Sequence, residues 1–317
     1  MDLTVVQFLA APFVASLILT GIHAYLGVHV VERGVIFVDL SLAQFAALGA
    51  AVALLLPITG GDPHSSLAYW ISLAFTLLGA LLFSTVRGHR ARIPQEAVIG
   101  ICYAVASAAA ILAMSKATSE SEHLKDMLVG NILAVSWYDV GHTALLYGII
   151  GAFHFAFRHR FLAISMDPRR AESEGIPIRF WDFLFYASFG FVVTSSVAIA
   201  GVLLVFCYLI VPSVGAMLYA DRIGTRLAIG WSMGTIVSAA GVYLSLLLDL
   251  PTGATIVCTF GVALVIMALA RPVLRRQGFA VPQSPTGVAA TRASQVSDAI
   301  ENAAPTAGRT SAAARRT

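Results

Sequence analysis

Hydrophobic residues along this chain fall in long runs, with little of the one-sided striping of surface helices. The runs cover roughly 5–29, 34–56, 67–86, 96–114, 139–157, 183–199, 201–220, 227–248 and 254–270, each close to the ~20 residues with which a helix crosses a bilayer core. Backbone immersed in lipid must satisfy its own hydrogen bonds, and the runs lack the alternation of barrel strands. The pattern therefore predicts an all-α fold, a polytopic transmembrane helical bundle of eight or nine spans. Two places leave the count open: 183–220, where two helices must join near Ala200 and Gly201, and 126–137, which either dips into the membrane or crosses it.

Polar punctuation divides the rest. Residues 1–276 read as one transmembrane domain, and 277–317, rich in Ala, Thr, Ser, Pro and Arg, as a disordered cytoplasmic tail. Between spans, 115–131 is the longest outside loop and carries Glu120, Glu122, His123 and Asp126. It reads either as a solvated loop or as a docking surface. In 158–180, Asp167 can cap a short helix, Pro168 suits its first turn, and Gly175 followed by Pro177 ends it. A helix that short does not persist alone in water, so it must pack on the bundle or on a partner. Ala43, Ala46, Ala47, Gly49, Ala50 and Ala53, and the pair Gly230 and Gly234, predict close helix approach.

Composition sharpens this picture. With 58% hydrophobic and 12% charged residues and a mean hydropathy of +0.83, the chain is an integral membrane protein. Its net charge of +3 says nothing of nucleic acid, because the arginines lie in alternate loops and the tail, while Lys116 and Lys125 share the outside loop. Those arginine loops are predicted cytoplasmic, placing the protein in the inner membrane. Cys102, Cys207 and Cys258 all lie in spans and read as buried thiols. The first run lacks a basic leader and reads as a retained helix.

No P-loop, HExxH, GxSxG or CxxC occurs, so neither a nucleotide site nor a hydrolytic enzyme is indicated, and no cofactor is expected. What remains is polar residues at membrane depth: His23 in the first span, Asp39 and Gln44 in the second. Counted from the inner turn at ~1.5 Å per residue, His23 and Asp39 lie roughly 10–14 Å in. Such groups line a transport pathway or lock helices together. Asp39 and Gln44, five apart, point about 140° from each other on a regular helix. His29 and Glu32 read as interfacial, His154 and His159 as solvated, Asp139 as a cap, and Ser195 and Ser196 as partners for backbone loosened near residue 200.

Five stretches in order, IPQEAVIGICYAVASAAAIL (93–112), LKDMLVGNILAVS (124–136), MDPRRAESEGIP (166–177), AIAGVLLVFCYLIVPSVGAML (198–218) and LDLPTGATIV (248–257), resemble the membrane permease subunits of ABC-type zinc, manganese and iron importers. The resemblance covers roughly residues 10–270. It implies a homodimer of permeases, a separate ABC ATPase subunit on each inner face, an extracytoplasmic solute-binding protein, and a metal or metal complex as substrate moved by alternating access. By the same resemblance, 158–180 is the ATPase coupling segment, with Asp167, Ala171 and Gly175 at matched positions. Asp39 and His23 are then candidate metal contacts. The second span departs from the family pattern, since Gln44 stands where a histidine is expected and Asp39 is one residue further away, although Gly49 keeps its place. The alternative is an ion-gradient-driven secondary transporter or channel using Asp39 as a proton-sensitive carboxylate.

Overall fold

The computed structural model describes residues 3–56, 58, 65–86, 93–115 and 132–276. They form α1 (Leu3–Arg33), α2 (Val38–Leu55), α3 (Ser66–Val86), α4 (Gln95–Met114), a 3-10 turn (Ile132–Ala134), α5 (Trp137–Ala156), α6 (Arg158–Met166), α7 (Pro168–Ser173), α8 (Ile178–Ala200), α9 (Val202–Met217), α10 (Ile223–Leu248) and α11 (Thr252–Arg276). Seven of these are long and apolar enough to cross a membrane, α5 and α6 form a pair bent by 73° that makes an eighth, and α9 is a shorter apolar helix. The expected helical bundle is therefore present, with no strand among the described residues. The acidic outside loop and the tail from 277 onward lie outside the described residues.

Helix boundaries follow from local chemistry. At the end of α1, Gly34 adopts φ +67°, its N–H donates to Val31 O at 3.1 Å, and the N–H of Val35 donates to Val30 O at 3.2 Å. That is the Schellman arrangement, with Val30 and Val35 both fully buried as its apolar contact. α8 and α9 meet at Gly201, whose φ of +75° a side chain would resist, so the join falls where the sequence placed it.

α1 is the central helix, packed on α5, α6, α9 and α10, while α2 packs on α3, α4 and α8. Glycine sets the spacing at two contacts. A Cβ on Gly27 would collide with the Leu209 carbonyl of α9, and one on Gly49 would lie 2.7 Å from Ser72 Cα of α3. The Ser72 hydroxyl donates to Ala46 O at 2.7 Å across that second contact.

Candidate functional site

Asp39 sits in the first turn of α2, a four-residue turn after α1 ends. The first N–H groups of any helix lack intrahelical acceptors and carry the positive end of its dipole, so a carboxylate is favoured there. The amides of Asp39 and Leu40 are its hydrogen-bonding neighbours. The residue is 2% exposed and Oδ1 has no partner. Cys207 of α9 lies within electrostatic reach of this carboxylate. Gln44 is also buried, on the same regular helix, so the two side chains diverge as their spacing requires.

His23 is elsewhere. It faces α5 and α8, its ring edge-on to Tyr147 with centroids 6.2 Å apart. Nδ1 lies 2.8 Å from Leu19 O, and because a carbonyl only accepts, that nitrogen carries the proton. Nε2 is then an acceptor, 3.2 Å from the Ser196 hydroxyl, which divides its one proton between this nitrogen and Val192 O at 2.6 Å. Tyr147 in turn hydrogen-bonds Ser196 and, at 3.0 Å, Ser195. The result is a hydrogen-bonded cluster that joins Tyr147, Ser196 and His23 to the carbonyls of Val192 and Leu19. As held here, the nitrogen of His23 that could bind a metal is engaged by Ser196. No hydrogen bond or ion pair joins His23 to Asp39 or Gln44, and among the described residues no three His, Cys, Asp or Glu side chains come within reach of one metal ion. A lateral cavity of about 630 Å³, lined by Gly21, Tyr25, Tyr147, Gly148, Gly151 and Trp231 among others, adjoins the His23 network between α1, α5 and α10.

A third polar cluster lies at the inner end of α1. Arg33 Nη1 donates to Asp182 Oδ1 of α8 at 2.7 Å, and both side chains are 0% exposed. The guanidinium carbon stands 3.9 Å over the Phe185 ring. Arg33 Nε–H donates to Ser165 Oγ of α6 at 2.8 Å, and the same Oγ lies 2.8 Å from His29 Nδ1. One turn along α1, Glu32 pairs with Arg226 of α10.

This cluster corrects two expectations. His29 is 1% exposed and bonded to Ser165, and His154 is 1% exposed, bonded to Ser188 at 2.8 Å and stacked on Phe161 at 4.4 Å. Neither is interfacial or solvated. The cause is the bend after Ala156, which folds α6 back against α1 and covers both rings. Arg33 was visible only as an orientation signal. Its partner Asp182, an acid in the second turn of α8, was not singled out in the sequence.

The short helix α7 matches the capping pattern. Asp167 accepts from Arg170 N–H at 3.1 Å, Pro168 occupies the first turn, and Ala171 is fully buried. Gly175, at φ +74°, donates to Glu172 O while Ile176 donates to Ala171 O, each at 3.0 Å. α7 packs on α6 and α8. Asp139 serves at N3 of a capping box whose N-cap is Ser136.

Comparison with known proteins places this arrangement. The family model described as the ABC 3 transport family matches residues 5–271. The manganese transport system membrane protein MntC of Listeria monocytogenes is 24% identical over 251 residues, covering 79% of this chain and 86% of that protein. The chelated iron transport system membrane protein YfeC of Yersinia pestis is 28% identical over 243 residues, covering 76% and 79%. Among solved structures, PsaBC from Streptococcus pneumoniae in complex with Fab superposes with a TM-score of 0.69 at 24% identity, over 83% of this chain and 92% of that one. An inward-facing putative metal-chelate type ABC transporter gives 0.61 at 18% identity, over 85% and 90%.

Proposed function

The chain belongs to the ABC 3 transport family, and from that premise we propose that it is the membrane permease subunit of an ATP-binding-cassette importer that carries a transition metal ion or metal complex inward across the cytoplasmic membrane. The observation that carries this reading is Asp39: a carboxylate buried at the start of a spanning helix, with one oxygen unengaged. An acid buried in a spanning helix is costly, and its retention marks a substrate pathway by default. Asp39 and Gln44 offer oxygen donors, and oxygen suits manganese better than it suits zinc. The relatives named for manganese transport agree with that preference.

The chain has no P-loop, so ATP is hydrolysed by a separate ATPase subunit and the permease is not itself an enzyme. The segment 158–180 is its docking and coupling element, with Asp167, Ala171 and Gly175 holding α7 in shape. A second permease copy completes a homodimer, and an extracytoplasmic solute-binding protein delivers the substrate. Asp39, Gln44 and His23 lie on the pathway, His23 serving the metal only after Ser196 releases its ring.

Asp39→Ala in the assembled transporter tests this. Uptake of Mn2+ into cells is abolished while the variant reaches the membrane and binds its ATPase at wild-type levels. Undiminished uptake refutes the role of Asp39.

A further inference from the structure

Among the polar clusters, the inner end of α1 contains a connection that the importer reading does not use. Ser165 is 3% exposed, near the last turn of α6, and two residues before Asp167, the cap of α7. Its single oxygen meets two residues of α1. Arg33 Nε–H donates into one lone pair of the hydroxyl, since a guanidinium only donates, and His29 Nδ1 meets the same oxygen, as acceptor or donor according to its tautomer. The Asp182 carboxylate and the Phe185 ring hold the guanidinium in place from α8.

We infer that Ser165 is a positioning residue which transmits displacement of α7 to Asp39. This rests on the importer reading, in which α7 meets the ATPase. The route is short and each link is built. α6 and α7 are joined through Asp167 alone, so a push on α7 moves the end of α6 that bears Ser165. That end is bonded to α1 at His29 and Arg33, one turn apart. Arg33 is the last residue of α1, and the Schellman turn at Gly34 and Val35 ties that end to the start of α2. Asp39 follows in the first turn of α2. One turn earlier on α6, Phe161 meets Trp181 edge-on and Phe185 at a tilt. Apolar contacts slide at little cost, whereas a hydroxyl shared between a guanidinium and an imidazole has one geometry. Coupling through a discrete hydrogen-bonded element is the physical form such transmission takes.

The test uses the complete transporter, permease with its ATPase, in proteoliposomes supplied with binding protein and Mn2+, and reads Mn2+ imported per ATP hydrolysed. Ser165→Ala assembles and hydrolyses ATP, but its import per ATP falls about tenfold, within the range of coupling between linked sites. Ser165→Thr, which keeps the hydroxyl, restores the ratio. Three results overturn the inference: an unchanged ratio in Ser165→Ala, a failure of that variant to assemble, which marks the hydroxyl as merely structural, or a threonine variant as defective as alanine. A wild-type chain that recruits no ATPase at all contradicts the importer reading itself, and so is distinguishable from these.

Discussion

Replacing Asp182 by alanine removes the carboxylate from an ion pair whose two side chains are both shut off from water. At an effective dielectric of about 20 and a charge separation near 4 Å, the attraction lost is about 4 kcal/mol. The Phe185 face at 3.9 Å stays under the guanidinium and retains about 1–2 kcal/mol of cation–π attraction. Ser165 still accepts from Nε, but neither group supplies the opposing charge. Breaking one side of a buried pair costs about 3–5 kcal/mol, whereas replacing both sides by apolar groups is close to neutral. Asp182→Ala therefore lowers the melting temperature of the detergent-solubilised protein by roughly 5–10 °C, using the size scaling of soluble domains. The double replacement Arg33→Met with Asp182→Leu regains most of that loss. Melting is followed by size-exclusion chromatography of heated samples. A shift under about 2 °C for the single variant, or a double variant no more stable than the single one, refutes the reasoning.

Two further outcomes follow from the packing. Gly27→Ala forces α1 away from α9, because the added carbon falls on the Leu209 carbonyl and backbone cannot swing aside as a side-chain tip can; a loss of at least about 3 kcal/mol is expected, at the upper end of overpacking effects, seen as reduced melting temperature and yield. Tyr147→Phe removes the hydroxyl that bonds Ser195 and Ser196. It lowers stability by about 1–2 kcal/mol without displacing the ring from His23, and equal stability of variant and wild type counts against the hydrogen-bonded cluster around Ser196.

The helices were legible in the sequence because lipid imposes one solution on an apolar run, and their joins were legible where glycine had to adopt a positive φ, as at Gly201 and Gly175. α7 was legible because its cap, proline and glycine act within a dozen residues. The polar interior was not. Arg33 and Asp182 are 149 positions apart, and neither has a local pattern that announces a partner. His29 was assigned to the interface because its ring could reach water, and His154 to water because it neighbours arginines, and the bend between α5 and α6 buries both. His23 and Asp39 were expected at one depth, but α1 ends at Arg33 and α2 starts at Val38, which puts His23 about 15 Å and Asp39 about 3 Å along their helices from the turn, and α1 turns His23 toward Tyr147 and Ser196.

The turn at 34–37 has a consequence for how the chain can vary. It is four residues long, and hydrogen bonds from Gly34 to Val31, Val35 to Val30, Phe37 to Glu96 and Val38 to Val35 hold it, so it locks the rotational phase of α2 to that of α1. One residue inserted there would turn every side chain of α2 by about 100° relative to α1 if the helix kept its axis. Asp39 would swing off its buried face, and Gly49 would no longer meet Ser72. The length of this turn is thus as much a determinant of the pathway as the carboxylate it presents.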